Sequence, residues 1–201
     1  MSDYAISQLI SRIDTLEKQV SKLRRVESRG WEIQYVVPAG GVATYPIATI
    51  PQYARHARFL IQARSSAAAV ATTALNLRVN ADAGANYYYQ QMQAIGAVVG
   101  AAEILAQTSW QVAEIPGATA TAKFAGVLDL VIYWYGVLNT DVWKVCFTCV
   151  NYHPRSTGAN GRRLDVWGGD YQGNAPVTSL TFSSGVANIE ANSVFTMYGT
   201  G

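Results

Sequence analysis

Residues 144–152, KVCFTCVNY, read as a β-strand, and that reading sets the class of the body. Cys146 and Cys149 stand three apart in this run, a spacing that sends two strand side chains to opposite faces. The single CxxC has no second pair to complete a zinc set, so two half-buried thiols are expected in place of a redox or metal centre. Working outward, the chain from Trp31 onward consists of short alternating or apolar runs separated by Gly, Pro, Asn and Ser. Strands are expected at Trp31 to Val37, Arg58 to Arg64, Ala74 to Val79, Trp110 to Ile115, Gly126 to Tyr135, Lys144 to Tyr152, Val177 to Phe182 and Ser193 to Tyr198. Turns fall at PAGG (38–41), NADAGAN (80–86) and PRSTGANG (154–161). Residues 65–75 suit a loop or one helical turn, and 87–106 carry no clear period. The expected body, residues 30–201, is therefore mainly β: a jelly-roll-like antiparallel β-sandwich.

Ahead of it, residues 5–26, AISQLISRIDTLEKQVSKLRRV, follow a different rule. Ile6, Ile13 and Val20 occupy heptad position a, and Leu9, Leu16 and Leu23 occupy d. A lone helix of this length is marginal in water, so the seam requires a partner, most simply another copy of the chain. Arg12 at g and Glu17 at the following e suit an interchain ion pair in a parallel coiled coil. Residues 12–17 also resemble the short trimerisation motif of coiled coils: Arg, apolar, two variable residues, apolar, Glu. Ile10 at e widens the apolar stripe in the same direction, while β-branched a and Leu d residues favour dimers. The expected unit is a homotrimer, with a dimer as the alternative. Residues 1–29 form this oligomerisation helix, and Gly30 stands where a C-cap glycine belongs.

Composition narrows the function. Charged residues are 14% of the chain, well below the roughly 25% usual in soluble domains. The net charge of +2 resides in residues 1–29, where six Lys and Arg face four Asp and Glu, so the body is neutral. With no basic stripe there, nucleic acid is not an expected partner. No secretion signal is legible at the N-terminus, and no apolar run reaches the roughly 18 residues of a spanning helix, so membrane insertion is not expected either. Catalysis requires a nucleophile with a base, paired carboxylates or metal ligands at workable spacing. The two histidines, His56 and His153, have no carboxylate or Cys/His neighbour in sequence. Sequence alone pairs no two body carboxylates for glycosidase chemistry, and Asp165 and Asp170, which flank VWGG, read as turn stabilisers ahead of a calcium or sugar site. Asp82 in NADAGAN reads as an Asx-type turn former. No catalytic residue, metal ligand or cofactor is expected, and the chain reads as a non-enzyme. Aromatic residues are more suggestive. Trp167 and Tyr171, with Asp170 between them, lie in the glycine-rich DVWGGDYQGN, which reads as a loop able to stack on a sugar. Core or interface packing is the simpler role for these rings, and for the consecutive Tyr87, Tyr88 and Tyr89.

Two stretches resemble bacteriophage virion proteins. LNLRVNADAGANYYYQQM, at 75–92, is similar to their strand ending in a basic residue, followed by an Asn-Asp-Gly-Asn-Tyr turn and an aromatic strand. VTSLTFSSGVANIEANSVFTMYG, at 177–199, resembles their C-terminal end more closely, with a last strand Phe195-Thr196-Met197-Tyr198-Gly199. FAGVLDLVIYWY fits a strand of such a domain, whereas 93–109 is richer in Gly and Ala than the resemblance implies. The resemblance implies a homotrimeric structural module on the particle surface, of head-decoration, head-fibre or tail-fibre type. Its partners would be itself and other virion proteins such as capsid or tail proteins, assembled in the host cytoplasm. The alternative it leaves is a receptor-recognising, carbohydrate-binding tail-fibre knob of lectin type, touching a host-surface glycan through Trp167, Asp170 and Tyr171.

Overall fold

A computed structural model describes residues 12, 17, 31–48, 50, 56–68, 71–95, 97–120, 126–133, 144–152 and 163–200. These residues are mainly β, in two antiparallel sheets. Of the heptad stretch, Arg12 and Glu17 are described, and both are helical and exposed. Ile6, Leu9, Ile13, Leu16, Val20 and Leu23 lie outside the described residues, as do His153 and the PRSTGANG turn.

Among the described residues twelve strands run in chain order: β1 (Trp31–Val36), β2 (Thr44–Ile47), β3 (His56–Ala63), β4 (Thr72–Val79), β5 (Tyr87–Ile95), β6 (Val98–Gln107), β7 (Trp110–Pro116), β8 (Gly126–Tyr133), β9 (Lys144–Tyr152), β10 (Arg163–Tyr171), β11 (Leu180–Ser184) and β12 (Val194–Thr200). The larger sheet has the order β1-β12-β3-β8-β9-β10-β5-β6, and the smaller β2-β11-β4-β7. Taken without two hairpins, β5–β6 and β9–β10, the remaining eight strands form two four-stranded sheets, β1-β12-β3-β8 and β2-β11-β4-β7. The two hairpins come from separate insertions. They meet through the β10–β5 ladder and extend the larger sheet beyond β8.

Alternation explains how each strand finds its face. In β3, HARFLIQA, the side chains of Ala57, Phe59, Ile61 and Ala63 are buried, and those between them are less so. In β4, Leu75, Leu77 and Val79 are fully buried from the opposite sheet. Between the sheets Phe182 meets Phe59 edge-on, with ring centroids 5.6 Å apart, and lies 4.8 Å from Phe195. Removing such faces from water, at roughly 25 cal/mol per Å² of apolar area, is what holds two sheets together.

Three expectations need correction. The strand expected from Val177 starts at Leu180, because the Asn80 side chain holds the backbone ahead of it. Asn80 Oδ1 accepts hydrogen bonds from Thr178 N (2.8 Å) and Ser179 N (3.2 Å). Residues 87–106, without clear period in sequence, form the β5–β6 hairpin. The glycine-rich run expected as a loop is strand β10. One of its two glycines, Gly169, serves close approach, whereas Gly168 has room for a side chain. A Cβ on Gly169 would lie 2.5 Å from Tyr88 O, 2.8 Å from Tyr89 Cβ and 3.0 Å from Trp110 Nε1.

Candidate functional site

Because β10 is a strand, its side chains alternate, and the three residues expected on a ligand-binding loop separate. Trp167 and Tyr171 turn inward and are 1% and 4% exposed, while Asp170 faces out at the edge of a groove. The inward pair belongs to an aromatic cluster. Tyr171 lies 4.9 Å from Tyr87, and Trp110 stands edge-on to both. Trp110 Nε1 donates to Asp170 O at 3.0 Å, tying the edge strand of the smaller sheet to β10. Trp167 packs against Tyr89, with centroids 5.9 Å apart. Its indole Nε1 and the Thr148 hydroxyl, opposed in the β9–β10 register, are both buried with no hydrogen-bond partner among the described residues. These rings are interior groups, and a sugar has no stacking surface on them.

The turn before β5 anchors the cluster. Asn80 and Ala81 adopt left-handed φ of 53° and 56°, and Asp82 N donates to Val79 O at 2.9 Å, which makes a type I′ turn. Asp82 then acts as the Asx former its sequence suggests, accepting from Gly84 N at 2.7 Å. Its other oxygen accepts from Asn86 Nδ2 (2.8 Å) and from the Tyr171 hydroxyl (2.9 Å). Tyr87 hydroxyl accepts from Val79 N at 2.9 Å, and burial pushes its pKa up to about 12. The bonds from Asn86, Gly84 and Tyr171 hold Asp82 below its ordinary 3.8. A depressed carboxyl contributes stability that is complete above its unfolded value and lost as pH falls through the folded one. Asp82→Ala is therefore expected to cost about 1–2 kcal/mol at neutral pH, low in the charge-assisted range because the carboxylate is partly solvated. Urea unfolding of both chains checks this: their difference should close as the pH falls below 3.8.

The feature the sequence did not single out is the outer face of the extension. On β9, Cys146 is buried and Cys149 exposed, as their spacing predicts. Val145 and Phe147 share the outer face with Cys149 and are 45% and 48% exposed. Leu164 on β10, Met92 on β5, and Val99 and Leu105 on β6 continue the same face, each between 46% and 75% exposed. A groove of about 840 Å³ runs over Val166 and Gly168, walled by Tyr88, Met92, Leu105 and Phe147, with Glu103 and Asp170 at its margin. Burial holds the Asp170 carboxyl above its ordinary value. Alongside, Arg58 and Asp129 satisfy each other, with Nε donating to Oδ1 at 2.8 Å and a second bond from Nη2 to Oδ2. The outer strand, β6, is largely exposed on both faces, with Val98 of the inner side 71% exposed. Sequence signals for this face existed in the alternation of β9, but which side lies bare depends on the side on which the smaller sheet packs.

Chemistry finds less to use. Among the described residues no three His, Cys, Asp or Glu are grouped to hold a metal ion. No helix among them is long and apolar enough to cross a membrane. His56 lies beside Tyr133, with ring centroids 6.0 Å apart. Cys146 is buried in the core cluster, and burial pushes its thiol well up, away from nucleophilic use.

Comparison with known proteins adds little to this geometry. No family model matches the chain, and no curated protein matches it. A solved chain titled "Structure of infectious bursal disease virus Gx strain" aligns at 13% identity with a TM-score of 0.11, covering 86% of this chain and 38% of that one. That score carries no argument about fold or function.

Proposed function

We propose that this chain is a non-enzymatic structural protein of a bacteriophage virion, a homotrimer in which an N-terminal coiled coil gathers jelly-roll-like sandwiches on the particle surface. The observation that carries the structural part is the apolar outer face of the sheet extension. A broad apolar surface on an otherwise closed sandwich is a contact surface, since monomeric proteins rarely leave more than a few hundred Å² of contiguous apolar area bare. The heptads of residues 5–26 give an independent reason for self-association. The jelly-roll reading is supported by the strand orders β1-β12-β3-β8 and β2-β11-β4-β7, in which successive strands change sheet except at β4 to β7. The virion assignment rests on the resemblance of residues 75–92 and 177–199 to phage particle proteins. Head-decoration, head-fibre and tail-fibre placements share these features. A lectin role draws no support from Trp167 and Tyr171, which are interior.

Antibody labelling of purified phage particles, imaged by electron microscopy, tests the proposal. Label on intact particles, at head or tail, is the expected result. Particles free of the chain, or a purified chain that binds host glycans but not particles, would overturn it.

A further inference from the structure

We infer that the outer face of the β9–β10–β5–β6 extension is the subunit interface of the sandwich domain, covered by a second copy of this chain. The inference rests on the self-association reading above and adds the surface that carries it. Six side chains on this face, Val145, Phe147, Leu164, Met92, Val99 and Leu105, are each between 45% and 75% exposed. Together they leave on the order of 500 Å² of apolar area bare, a large share of the roughly 800 Å² that each partner of a stable interface buries.

Three observations favour a second copy as the occupant. The heptads supply one, because four residues (27–30) separate Val26 from β1. At about 3.5 Å per residue that link spans at most roughly 14 Å, so bodies joined by a coil meet at effective concentrations near millimolar. The face begins at β9, four places from β1 in the sheet and about 19 Å away at the usual strand spacing, within one body's width of the coil. Charge points the same way. The body balances nine Lys and Arg against nine Asp and Glu, and the ions beside the face, Arg58 and Asp129, are paired with each other. Apart from Glu103 and Asp170 at the groove margin, nothing on it steers a partner of opposite sign, so repulsion between like copies is confined to those two carboxylates. Finally, β6 is open on both faces as well as along its edge, a state that proteins cover by pairing or packing.

Cys149 is a built-in reporter. It lies on this face two residues from Phe147 and is exposed in the single chain, whereas Cys146 is buried. Maleimide labelling of the full-length chain at micromolar concentration, beside sedimentation of the same sample, tests the inference. In the wild-type oligomer Cys149 should label at least about tenfold more slowly than in Ile13→Asp/Leu16→Asp, where the coil is broken. Phe147→Asp/Leu164→Asp should restore fast labelling while the coil keeps chains together. Should that variant misfold, revealed by labelling of Cys146, Met92→Asp/Val99→Asp on the other hairpin takes its place. An oligomer whose Cys149 labels at the free rate would overturn the interface and leave coil-driven assembly intact; a different virion protein would then be the occupant. A wild-type chain that sediments as a monomer would overturn both readings. Cys149 protected equally in the seam variant would mean that the chain covers the face itself, which also overturns the inference.

Discussion

Trp110→Ala should lower the stability of the sandwich by about 3–5 kcal/mol, the range for removing a fully buried aromatic ring. Trp110 is 0% exposed and opens β7, the edge strand of the smaller sheet. Its ring stands at 80° to Tyr87 and 74° to Tyr171, from the two hairpins that build the extension. Such edge-to-face pairs add about 0.5–1.5 kcal/mol beyond area burial. Truncation also removes the indole proton that Asp170 O accepts at 3.0 Å. The measurement is the urea midpoint at fixed protein concentration, since an oligomer's apparent stability depends on concentration. Trp110→Phe separates the contributions by keeping a ring and losing the donor, with an expected cost well below that of the alanine variant. Equal midpoints for wild type and Trp110→Ala would show that the aromatic cluster does not join the sheets.

The second large effect concerns assembly. Ile13→Asp combined with Leu16→Asp should reduce the full chain from an oligomer to a 21.7 kDa monomer by sedimentation equilibrium. The two substitutions place carboxylates at adjacent a and d positions of every helix, and each would have to lose water to enter the seam. Several kcal/mol per chain oppose that burial, enough to abolish association at micromolar concentration. Arg12→Ala with Glu17→Ala is the contrasting pair. Both side chains are exposed, and an exposed ion pair contributes about 0.2–1 kcal/mol, so association should weaken but persist. Circular dichroism should show the β signal of the body unchanged in both variants. A wild-type chain that is monomeric at micromolar concentration would remove the basis for the coil.

Local pattern made part of this molecule legible. The spacing of the two cysteines in KVCFTCVNY sent them to opposite faces, and strand β9 does so, with one thiol buried and the other exposed where two half-buried ones were expected. The Asp82 turn was equally readable, because an Asx turn closes within two residues. The run VWGGDY was not. Glycine pairs signal loops when their neighbours in sequence are the only context, but Gly169 is glycine because Tyr88 O, Tyr89 and the Trp110 indole crowd it from other strands. Consequently the stacking role weighed for Trp167 and Tyr171 finds no exposed ring, and they lie in the interior, the simpler role their sequence allowed.

What the sequence alone determined is the period of most segments: two for the expected strands of the body, three-and-a-half for residues 5–26. Period assigns side chains to two faces of a strand, because that depends only on the backbone between neighbours. It does not say which face another sheet covers. Only the tertiary structure decided that β9, β10, β5 and β6 continue the larger sheet past β8, with no strand of the smaller one on their outer side. The same alternation that builds the core there leaves Phe147, Met92 and Leu164 bare, because pairing between the two hairpins is a contact across more than sixty residues of sequence.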